Sequence, residues 1–128
     1  MENDRGAMIR IGNREYEMLL TTKATKEIAK RYGGLSNLGE KLMKTENFEM
    51  ALDEVVWLIT LLANQSVLVH NLQNPSKKRE LLTEDIVELL TSPFELAEYK
   101  NAIMDAMYKG TKRHVESEDE PSKNAQVG

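Results

Sequence analysis

The side chains best equipped for chemistry in this chain are two histidines, four lysine and arginine residues on one stretch, and several paired carboxylates. His70 follows Val67, Leu68 and Val69, where a desolvated general base would have to sit. A lone histidine at a helix end, bonded to backbone, is the plainer expectation for it. His114 falls among polar residues with no scaffold to position it. There are no cysteines, so the chain holds no disulfide, thiolate zinc site or thiol nucleophile. With two histidines so far apart, we expect neither a transition-metal site nor a cofactor. Asp53/Glu54 and Glu84/Asp85 are sequence neighbours, which diverge by about 100° on a helix and cannot work as an acid–base pair. Gly34-Leu35-Ser36-Asn37-Leu38-Gly39-Glu40-Lys41 has the outline of a phosphate loop. However, Glu40 separates Gly39 from Lys41, and a helix rather than a strand precedes it.

Lys23, Lys26, Lys30 and Arg31 form a basic cluster interrupted by Glu27, and Lys77-Lys78-Arg79 forms a second. Either could touch nucleic acid or an acidic protein, although runs of this kind are usually solvated faces. No recognition-helix pattern accompanies them. The net charge of -4 and pI near 5.3 oppose a large phosphate footprint. The residues therefore indicate a small binding or assembly protein rather than an enzyme.

The elements that must position these residues are mostly helical. A chain of 128 residues is one domain by size. Residues 1–5 read as a loose end, and MENDRGAM lacks the basic and apolar regions of a secretion signal. Ala7–Leu20 alternates as a β-hairpin around Gly12-Asn13, Gly supplying the positive φ of a primed turn. That turn sets Ile11 against Arg14, Ile9 against Tyr16 and Ala7 against Met18, leaving one apolar face to dock on helices. On the other face Arg10 opposes Glu15. A first helix spans Thr22–Tyr32 and stops at Gly33-Gly34. A second spans Asn37–Lys44, with Ser36 as its N-cap. The third and longest begins near Asn47. Thr83 caps a fourth, with Glu84 and Asp85 at its positive end. Ser92-Pro93-Phe94-Glu95 is a capping box opening a fifth helix, expected to end at Gly110 with Leu96, Tyr99, Ile103 and Met107 on its buried side. The fold class is thus mostly α with a small N-terminal hairpin, about five helices in residues 6–110. Residues 111–128, TKRHVESEDEPSKNAQVG, hold no large core-forming side chain and read as a disordered polar tail.

The third helix carries the least expected composition. From Val55 to Ser76 there is no Asp, Glu, Lys or Arg, although 30% of the chain is charged. Asn64, Gln65 and Ser66 interrupt it too early for a bilayer span of about twenty apolar residues, so no membrane is expected. Phe48, Leu52, Val55, Ile59 and Leu62 recur at helical steps and should face the core. Val56, Trp57 and Leu61 point elsewhere. They are covered either by the hairpin or by another protein. With Leu68 they are the candidate protein-interface residues. The seven methionines, Met43, Met50, Met104 and Met107 among them, are expected as core filling.

Arg31-Tyr32-Gly33-Gly34-Leu35, Asn37-Leu38-Gly39-Glu40-Lys41-Leu42 and Val56-Trp57-Leu58-Ile59-Thr60-Leu61-Leu62-Ala63-Asn64-Gln65, behind a short hairpin, resemble the tail assembly chaperones of long-tailed phages and prophages of Gram-positive bacteria. The similarity covers roughly residues 8–110. It implies a non-enzymatic protein of the host bacterial cytoplasm, absent from the mature virion. It would bind the tape measure protein and help recruit tail tube subunits. It also implies self-association and, in many relatives, a longer form made by frameshifting, which would attach at the polar tail. An alternative is a small regulatory or nucleic-acid-binding helical module using the Lys23/Lys26/Lys30/Arg31 face. A hydrolase using His70 is a third.

Overall fold

The computed structural model describes residues 6–44 and 48–127, with side chains described up to residue 110 except at 39 and 42–51. The expected loose end at residues 1–5 lies outside the described residues. So do the side chains of Met43, Phe48 and Met50 and those of the tail.

Strands β1 (Gly6–Ile11) and β2 (Arg14–Leu19) form an antiparallel hairpin, followed by five helices. The register is the one expected: Ala7 opposite Met18, Ile9 opposite Tyr16, Ile11 opposite Arg14. Gly12 supplies the turn with a φ of 67°. Ala7, Ile9, Ile11 and Met18 are buried on one face, while Arg10 and Glu15 pair at 3.6 Å on the exposed face. Helix α1 (Thr22–Tyr32) ends where Gly33 turns left-handed at φ 90° and donates its N–H to the Ala29 carbonyl.

Helix α2 runs Leu35–Lys44, so it starts two residues before the expected boundary and Ser36 lies inside it rather than capping it. The first intrahelical bond runs from the Leu38 N–H to the Gly34 carbonyl, and Leu35 packs against the core from the first turn. Helices α3 (Phe48–Gln73) and α4 (Glu84–Leu90) follow, Thr83 capping the latter by accepting from the Ile86 N–H. Helix α5 opens at Pro93 with the expected reciprocal box, the Ser92 N–H donating to Glu95 Oε1 and the Glu95 N–H to Ser92 Oγ. Its backbone does not stop at Gly110 but stays helical to Val127. Gly110 marks a close crossing instead of an end, since a Cβ there would lie 2.7 Å from the Leu20 side chain.

The core lies where the hairpin's apolar face meets α3 and α5. Ile9, Met18, Ile28, Leu58, Ile59, Leu62, Val87, Ile103 and Ala106 belong to one contiguous cluster. Leu96, Ile103 and Met107 are buried as expected on α5, with Tyr99 packed beside them. Tyr99 donates to the Arg10 carbonyl and Lys109 to the Gly6 carbonyl, so α5 closes the outer edge of β1.

Candidate partner-binding groove

Helix α3 is long and apolar enough to cross a membrane by length and composition, yet here it is the central helix of the domain. Its burial explains the uncharged block. Val55, Leu58, Ile59 and Leu62 are covered, and so is a second row at Val56, Ile59, Ala63 and Val67. The polar residues in its middle all have partners within the domain. Asn64 makes a two-bond pair with the backbone of Leu82, donating to its carbonyl at 2.8 Å and accepting from its N–H at 2.7 Å. Gln65, buried, accepts from the Thr21 hydroxyl and donates to the Leu61 carbonyl. Ser66 bonds the Ala63 carbonyl.

These bonds also place two flanking walls. Thr21 is the N-cap of α1, accepting from the Ala24 N–H, so its second bond to Gln65 fixes the start of α1 against α3. One α-helical heptad after Asn64, Asn71 repeats the two-bond pattern with Arg79, at 3.0 and 2.8 Å. An amide side chain can satisfy one N–H and one carbonyl of a passing backbone simultaneously. Residues 77–83 are therefore strapped along α3 by Asn64 and Asn71. His70 adds a bond from its ring to the Lys77 carbonyl, the backbone role expected for it rather than that of a desolvated base.

Between α1 on one side and the strap and α4 on the other, α3 shows a half-exposed row. Trp57, Thr60, Leu61, Asn64 and Leu68 line an open groove of about 310 Å³, bounded by Lys23, Glu27, Leu81 and Glu84. This falls at the small end of ligand-site volumes and suits a few apolar side chains. Trp57 is partly roofed by α1: the Arg31 guanidinium lies 4.4 Å from its ring centroid, and Tyr32 meets it edge-on at 5.9 Å. Arg31 also pairs with Glu54 at 3.6 Å.

Of the four candidate interface residues, Trp57, Leu61 and Leu68 share this groove, but Val56 does not. Val56 is only 2% exposed. It was grouped with Trp57 because both lie off the first stripe; a helix turns about 100° per residue, and Val56 falls on the Ile59/Ala63 side, which the domain covers. The groove residues missed from sequence include Glu27, Thr60, Asn64, Gln65, Leu81 and Glu84. Asn64 and Gln65 gave a signal, as polar interruptions of an apolar run.

The basic cluster of α1 is divided. Lys23 edges the groove, Lys26 lines a separate cleft with Thr21, Thr22, Thr25 and Gly110, Lys30 pairs with Glu27 at 3.6 Å, and Arg31 is held on Trp57. Among the described residues no group of three His, Asp or Glu side chains could hold a metal ion. No family model, curated protein or solved structure matches the chain.

Proposed function

We propose that this chain is a non-enzymatic tail assembly chaperone of a long-tailed phage or prophage, acting in the host bacterial cytoplasm. Its groove along α3 holds an apolar segment of the tape measure protein and keeps that protein soluble while tail tube subunits are recruited. The observation that carries this reading is the groove floor. Trp57, Leu61 and Leu68 are partly exposed side by side in the groove, on a helix whose other apolar residues from Val55 to Val67 are buried by its own domain. Exposed apolar surface of this kind, rimmed by Lys23, Glu27 and Glu84, suits a protein partner. The resemblance in Arg31–Leu42 and Val56–Gln65 names the partner, and the hairpin-then-helices order agrees with it.

The test is co-expression with a tape measure protein of the same phage or prophage. A soluble tape measure that co-purifies with the chain is the expected result. A tape measure that stays insoluble, with nothing bound to the chain, removes the proposal. The nucleic-acid alternative has less support. Arg31 is held on Trp57 and Glu54, and Lys23 and Lys26 line two separate clefts, so the four cations do not form one continuous outward face.

A further inference from the structure

Away from the groove, the corner joining α4 to α5 exposes apolar side chains that the fold does not use. Leu89 is 82% exposed, Phe94 73% and Leu90 50%, all within one short stretch on either side of the break between the helices. They are held there firmly. Val87 and Leu96 anchor the two sides in the core, the Thr91 hydroxyl bonds the Val87 carbonyl, and the Ser92–Glu95 box fixes the first turn of α5. Leu90 rests over the hairpin turn, close to Gly12. A backbone already fixed in place gives up little entropy when it binds.

Carboxylates outnumber cations around this corner, although Arg14 follows the hairpin turn and Lys100 lies on α5. Glu84, Asp85, Glu88, Glu95 and Glu98 are all exposed. From Glu80 to Tyr99 the sequence contains no Lys, Arg or His. Arg10, across from Tyr99, is paired with Glu15. An apolar patch with an excess of carboxylates beside it disfavours nucleic acid and anionic lipid. It attracts apolar residues carried among positive charges.

We infer that the Leu89–Phe94 corner is a second docking surface, whose occupant is a basic amphipathic segment of a partner protein: apolar anchors flanked by Lys or Arg. This goes beyond the groove and does not depend on what the groove holds.

A labelled Leu/Lys amphipathic peptide, followed by fluorescence anisotropy with the full-length chain, tests it, with the Leu/Glu counterpart as control. The basic peptide should bind and the acidic one should not. Leu89→Asp/Phe94→Asp should weaken binding about tenfold or more, as loss of central anchors does. That variant makes the corner more acidic, so attraction by charge alone would strengthen, and a loss reports the apolar anchors. Glu88→Lys/Glu98→Lys should weaken the basic peptide and admit the acidic one. Both variants alter exposed positions, and unchanged circular dichroism confirms their fold. Unchanged or tighter binding by the Asp variant overturns the inference. So does equal binding of the two peptides. A chain that self-associates in sedimentation equilibrium, and loses that association in the Asp variant, also overturns it, because the occupant would then be a second copy.

Discussion

Arg31 shows how one side chain can be removed from the role its sequence context suggests. It lies in a basic run, yet its guanidinium stacks on Trp57 and faces Glu54, whose side chain is only 12% exposed. A stacked cation contributes about 0.5–1 kcal/mol at an exposed site. Removing it costs more here, since a largely buried carboxylate loses its partner. Arg31→Ala should therefore lower the melting temperature and make Trp57 fluorescence more accessible to acrylamide. Unchanged quenching would show that Arg31 does not roof the indole.

Tyr99 is the second informative residue. Burial, reinforced by Glu95 and Glu98 and opposed by Arg10, holds its phenol above the ordinary value near 10. The neutral phenol donates to the Arg10 carbonyl, tying α5 to the hairpin. Because the folded chain keeps this proton more tightly than the unfolded one, the contribution is complete below about pH 10 and is lost as pH rises through the folded value. Melting temperature followed from pH 8 to 11 should fall in the wild type. It should fall less in Tyr99→Phe, which starts lower. Parallel curves would assign the alkaline loss to other groups.

At the scale of elements, the hairpin was legible because its alternation and the Gly12-Asn13 turn leave a single register that buries Ala7, Ile9 and Ile11 together. The capped starts of α4 and α5 were legible for the same kind of reason, since a cap is a local contact between residues three apart. The strap was not. Its pairing of Asn64 with Leu82 spans 18 positions and produces no periodic pattern. Whether Val56 is covered by the domain or by a partner was likewise open, because adjacent faces of an apolar helix are told apart only by what covers them, and Val56 is buried within the domain. The strap makes its own prediction. Asn64→Ala leaves the N–H and carbonyl of a buried Leu82 without partners, which should cost about 1–3 kcal/mol. Asn71→Ala, whose bonds to Arg79 are solvent-exposed, should cost less. Urea unfolding monitored at Trp57 measures both, and equal costs would mean that residues 77–83 are not held chiefly by Asn64.

For the molecule as a whole, the division of labour is between a covered core and two uncovered apolar surfaces. Hairpin, α3 and α5 close on one another. The α3 groove and the α4–α5 corner remain open, one with mixed charges at its rim and the other with an excess of carboxylates. The sequence showed that α3 carried more apolar surface than one stripe requires. It could not show that Val56 is buried in the core while Trp57, Leu61 and Leu68 stay partly exposed, since that depends on how α1 and the strap stand apart. The groove as a site for a tape measure segment is the central claim. Affinity capture of the tape measure protein by the wild-type chain and by Leu61→Asp/Leu68→Asp, with matching melting temperatures confirming the fold, tests it most directly. We expect the wild type to retain the tape measure protein and the variant to lose it. Equal capture by both would place the partner elsewhere and contradict the account.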